Sequence, residues 1–98
     1  MFVEIKKSTN PKKKLMAIFY DDNKKKVKTI HFGSAGMSDF TIHKDKSRKE
    51  RYLTRHKKRE NWTIPMTAGS LSRWILWDKP DLQKSINSYM KRFKLKKY

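Results

Sequence analysis

Leu15-Met16-Ala17-Ile18-Phe19-Tyr20, then Asp21-Asp22-Asn23-Lys24, then Lys26-Val27-Lys28-Thr29-Ile30-His31-Phe32: this stretch decides the fold of the first third of the chain. Its two flanking runs are rich in β-branched and aromatic residues, and the four residues between them have side chains that bond their own backbone in tight turns. The pattern predicts a β-hairpin. In the second strand Lys26 and Lys28 share a face with Ile30 and Phe32, so the strand passes from solvent to core along its length, as a blunted edge strand does. Upstream, Phe2 to Lys6 is a third run of the same kind, separated from the hairpin by Asn10-Pro11 and three lysines. Residues 1–32 therefore read as a β-meander.

Downstream, Gly33-Ser34-Ala35-Gly36 is expected to end the third strand and begin a loop. Asp45 is placed to cap a helix from Lys46 to about Lys58, with Tyr52, Leu53 and His56 inward. Asn61 to Met66 is a connector, after which Thr67 or Ser70 caps a short helix carrying Leu71, Trp74, Ile75 and Trp77 as the core anchor. Asp78-Lys79-Pro80-Asp81 opens a last helix, where Leu82, Ile86, Tyr89, Met90 and Phe93 recur at helical spacing. Its final four residues are expected to fray. The sum is one α+β domain over residues 1–98, with a small antiparallel sheet of about three strands followed, in residues 45–95, by three helices packed on one face of it.

A chain of 98 residues supports a single core. Without cysteine it holds neither disulfides nor a cysteine-based zinc site. No run approaches the ~18 apolar residues that cross a bilayer, so integral membrane association is not expected. The N-terminus lacks the layout of a signal peptide. The apolar face of the last helix suits packing as well as it suits a membrane surface. The formal net charge of +17 points to a polyanion as partner. Only 6 of the 26 basic residues are Arg, and lysine suits phosphate neutralisation more than reading of base edges.

The charge is densest between Lys44 and Arg59. Lys44, Lys46, Arg48, Lys49, Arg51, Arg55, Lys57, Lys58 and Arg59 stand there against Asp45 and Glu50. On a helix they suit contact with phosphate rows, or with the acidic surface of another protein, and a solvated helix would read alike. Trp62 abuts the segment as a possible stacking platform, whereas Trp74 and Trp77 belong to the apolar stripe. His31, His43 and His56 with Asp39 and Asp45 are the one set offering the side chains of a metal or acid/base site. They lie on a strand, a loop and a helix with no metal-binding spacing. No catalytic residue, metal or cofactor is expected, and Asp39 and Asp45 read as loop and helix caps. Gly33-Ser34-Ala35-Gly36 has the composition of a phosphate-cradling backbone nest but lacks the lysine-bearing P-loop pattern.

His31-Phe32-Gly33, Ser38-Asp39-Phe40-Thr41-Ile42-His43-Lys44-Asp45, Arg48-Lys49, Arg51-Tyr52 and Arg55-His56-Lys57-Lys58-Arg59-Glu60-Asn61-Trp62 resemble a family of small basic proteins of large nucleocytoplasmic DNA viruses (giant viruses). Thr67-Ala68-Gly69, Ser72-Arg73, Leu76-Trp77 and Lys79-Pro80 continue the resemblance, which spans about the C-terminal two thirds. Met37 departs from it, standing where an aromatic residue is expected. The resemblance implies a viral origin and a virion- or genome-associated role, in the virion and in the host cytoplasm or nucleus during infection. The leading expectation is non-specific binding of double-stranded DNA through its phosphates, for genome packaging or condensation. The alternative is a minor capsid or assembly protein docking acidic virion proteins, and a small metal-dependent nuclease comes last.

Overall fold

The structure, a computed structural model, describes residues 1–98. Its elements are β1 (Phe2–Lys7), β2 (Lys13–Tyr20), β3 (Lys26–Ser34), α1 (Phe40–His43), α2 (Lys46–Lys57), α3 (Ala68–Leu71), a π-helical turn (Ser72–Leu76) continuing α3, α4 (Leu82–Arg92) and β4 (Lys96–Lys97). β1, β2 and β3 form the expected antiparallel meander, with β2 central and Ala17 facing both Ile5 and Ile30. Alternation along the strands assigns the faces. Val3, Ala17, Phe19 and Phe32 point to one side, where Leu71, Ile75, Leu76 and Tyr89 meet them in a closed core. Met16, Ile18 and Tyr20 point to the other, shielded by Phe2 rather than by a helix.

Three expectations about the sheet need correction. It has four strands in the order β3-β2-β1-β4, and β4 runs parallel to β1, so the sheet is mixed rather than purely antiparallel. The C-terminal residues are paired rather than frayed: the Lys96 amide donates to the Met1 carbonyl at 3.0 Å and the Tyr98 amide to the Val3 carbonyl at 3.1 Å. Tyr98 also stacks on Tyr20, with ring centroids 3.6 Å apart. The attraction comes from β1's open backbone edge, which side-chain hydropathy does not record. The third strand also continues through Gly33 to Ser34. Gly33 holds φ +78°, and a Cβ there would lie 2.7 Å from Leu76 Cδ1, so glycine lets β3 bend while the helical layer presses against it.

Among the helices, α1 is an addition inside a region read as loop. Asp39 caps it by accepting from the Thr41 amide at 2.9 Å. Thr67 caps α3 and Asp81 caps α4. Along α4 the apolar stripe turns inward at Tyr89, which is fully buried and donates to the Pro65 carbonyl at 2.8 Å, while Leu82 stays 38% exposed. Ser85 fills a buried position on the same face because its hydroxyl bonds the backbone of Lys79. α3, the π-helical turn and α4 form the layer on the sheet. α2 is tied to that layer by aromatic stacking on Trp77, just past the turn.

Candidate functional site

Helix α2 carries the densest charge and is held at both ends and along its inner face. Asp45 caps its start, accepting from the amides of Ser47 at 2.9 Å and Arg48 at 3.3 Å. Lys44, in left-handed backbone at φ 56°, turns the chain from α1 into α2. The His43 Nδ1 accepts from the Asp45 amide at 2.9 Å, which puts the neutral ring's proton on Nε2. That nitrogen is buried without a hydrogen-bond partner, in a ring 5.3 Å from Trp77.

The inner face of α2 is an aromatic column. Tyr52 stacks on Trp77 (4.2 Å, interplanar angle 4°) and on His56 (4.1 Å). His56 Nδ1 donates to Glu60 at 2.8 Å, and the other Glu60 oxygen accepts from the Trp62 indole at 2.8 Å. Burial first, and the Glu60 charge second, push the Tyr52 hydroxyl up to about 12. The inward assignment of Tyr52, Leu53 and His56 therefore holds: Tyr52 is buried and the other two are half-buried.

With that face committed, the cations point out. Lys44, Lys46, Arg48, Arg51, Arg55, Lys57, Lys58 and Arg59 are all exposed. Arg48, Arg51, Arg55 and Arg59 recur at i, i+3, i+7 and i+11, which lines them along one side of α2 and the turn after it. Lys49 behaves otherwise and corrects the outward placement expected for it. It is half-buried, donates to the Asp78 carbonyl at 2.6 Å and lies 4.9 Å over the Phe40 ring. Burial holds its pKa below the ordinary lysine value.

Few cations in the molecule are neutralised. Among its Lys and Arg side chains, only Lys6, Lys14 and Arg73 lie within 4 Å of a carboxylate. Trp62 is half-buried, with its carbonyl accepting from the Trp74 indole at 2.9 Å and Arg73 5.3 Å over its ring. Arg73 also covers Trp74 at 4.1 Å and Arg92 does so at 3.7 Å, so these indoles form an arginine-interleaved cluster.

Sequence reasoning did not assemble the cleft beside α2. It has a volume of about 330 Å³ and opens between the β2–β3 end of the sheet and helices α2 and α3. Phe32, Tyr52, Leu76 and Trp77 give it an apolar side; Lys13, Arg55 and the hydroxyls of Ser34, Ser38 and Ser72 give it a polar one. One ion pair and one histidine–carboxylate hydrogen bond sit in its wall. Lys14 meets the almost fully buried Asp39 at 2.5 Å, and His56 meets Glu60. The Gly33–Gly36 composition was the one signal pointing here. Met37, at its rim, is 65% exposed, so its side chain is unpacked. No three His, Asp or Glu side chains converge to hold a metal ion, and Asp39 and Asp45 serve as caps. No helix is long and apolar enough to cross a membrane.

Fold and surface together define a small, highly basic α+β protein with an uncompensated cationic helix beside a polar cleft. The chain belongs to a family of unknown function (DUF5754), which it matches over residues 3–56, from β1 through His56 of α2. No curated protein and no solved structure matches it.

Proposed function

We propose that the protein binds double-stranded DNA non-specifically through its phosphates, as a virion-associated protein serving genome packaging or condensation. One observation carries the reading: eight exposed cations on and around a single helix have no carboxylate within 4 Å. Exposed cations without a carboxylate partner are available to release counterions from a polyanion. The column that locks Tyr52 and His56 inward presents these charges from a rigid helix about 18 Å long. The resemblance to basic proteins of giant viruses supports a genome-associated setting, in the virion and in the host cell during infection.

Duplex affinity measured for unrelated sequences with 5′-hydroxyl ends tests the reading. If about six phosphates are neutralised, affinity falls about a thousandfold between 50 and 200 mM salt, alike for every sequence. Replacing Arg48, Arg51, Arg55 and Arg59 with Ala should flatten the log–log slope by about three to four. Negligible affinity at the low-salt end, or an unchanged slope in the variant, would overturn DNA binding by α2 and redirect attention to acidic virion proteins.

A further inference from the structure

The cleft beside α2 has a chemistry distinct from that of the helix surface. A duplex backbone presents phosphodiesters in rows, each with a single charge, whereas a concave site of this size encloses one group. At about 330 Å³ the cleft lies at the lower end of small-molecule sites and far exceeds the needs of a bare inorganic anion. Its charges are already sorted. Asp39 is held by Lys14, with the Thr41 hydroxyl also donating to it, and Glu60 is held by His56 and Trp62. The lining cations without a carboxylate are Lys13, at the start of β2, and Arg55, on α2. Serine hydroxyls stand among them as neutral donors, and Phe32, Leu76 and the aromatic column supply the apolar part.

We propose that this cleft binds a phosphomonoester of about nucleotide size, with its phosphoryl group between Lys13 and Arg55. A phosphomonoester carries about −1.5 to −2 charge at pH 7 and three strong acceptor oxygens, which match two free cations with hydroxyl donors nearby. The sugar and base fill the remaining volume against the apolar side. The same chemistry is offered by a free mononucleotide and by the 5′-phosphate end of a DNA strand. The proposal goes beyond backbone binding by α2 and holds whether or not α2 grips a duplex.

Calorimetric titration with deoxyadenosine 5′-monophosphate, deoxyadenosine and inorganic phosphate tests it. The nucleotide should bind at least about tenfold tighter than either the nucleoside or the bare anion, since each lacks one half of the match. Lys13→Ala and Arg55→Ala, both at exposed positions, should each weaken the nucleotide about tenfold, while Lys84→Ala on α4 should not. A duplex with 5′-phosphates that displaces the nucleotide better than the same duplex with 5′-hydroxyls identifies strand ends as the source; equal displacement identifies the free nucleotide. Equal affinity for nucleotide and nucleoside, no binding of either, or indifference to both substitutions would overturn the proposal. Equal affinity for inorganic phosphate and nucleotide would overturn the nucleotide-sized site. The salt test of α2 uses 5′-hydroxyl duplexes, so either experiment can fail without deciding the other.

Discussion

Glu60 is one residue past the basic segment, yet it organises the segment's inner side. Its carboxylate accepts hydrogen bonds from His56 and Trp62, and it packs so closely on α3 that a Cβ at Gly69 would come within 2.9 Å of it. A larger residue at position 69 would make the Glu60 carboxylate shift. Burial, and after it the same carboxylate, raises the pKa of the Tyr52 hydroxyl. In the unfolded chain a tyrosine ionises near pH 10, whereas in the fold Tyr52 keeps its proton to about 12. Between those values the unfolded chain has lost a proton that the folded chain retains, so this stabilisation is complete below about pH 10 and disappears as pH rises towards 12. Denaturant midpoints from pH 9 to 12 should decline over that interval, and Tyr52→Phe should make the decline shallower. A Tyr52→Phe protein with the parent's full decline would rule out this coupling. Tyr89, whose pKa burial also raises, accounts for a share of what remains.

At the level of elements, β4 shows how little sequence a strand needs when an edge is waiting for it. Two exposed lysines pair with β1, and Tyr98 stacks on Tyr20, which is 9% exposed. Removing Lys96, Lys97 and Tyr98 would uncover that ring and reopen the β1 edge. The loss of a few net hydrogen bonds and one aromatic pair should cost about 1–3 kcal/mol, read as a lower denaturant midpoint. Truncation without any change would mean that the C-terminal strand contributes nothing to the fold. The π-helical turn is the other element with a local purpose. The Trp77 amide donates to the Ser72 carbonyl at 3.1 Å, and both residues line the cleft. The turn thus places the ring on which α2 stacks.

For the whole molecule, the charge is in conflict with compactness. A net +17 on a domain with a Cα radius of gyration of 13.0 Å repels itself, with only three salt bridges from Lys and Arg side chains as relief. Screening should stabilise the free protein: going from about 20 to 200 mM salt, a gain of about 1 kcal/mol would raise the thermal midpoint by about 4–8 °C. Duplex affinity should move the opposite way over the same range. A thermal midpoint that falls with salt would show that the surface cations stabilise the fold through attractive partners.

The sequence by itself determined the meander, the Asp45 cap and the inward stripe of α2, because alternation, capping chemistry and helical spacing are local properties; the structure chose Thr67 over Ser70 and Asp81 within Asp78–Asp81 as the later caps. It also located the cationic segment, since charge is read directly from residue type. Only the tertiary structure decided that Lys49 turns inward to the Asp78 carbonyl, that Lys96 and Lys97 form a parallel strand, and that Gly33 lies within β3 rather than beyond it. Each depends on a partner distant in sequence: a carbonyl 29 residues away, the open edge of β1, and the Leu76 side chain. The cleft is non-local for the same reason. Lys13, Arg55 and Ser72 share no sequence pattern, and they come together only because Trp77 docks α2 beside the end of the sheet.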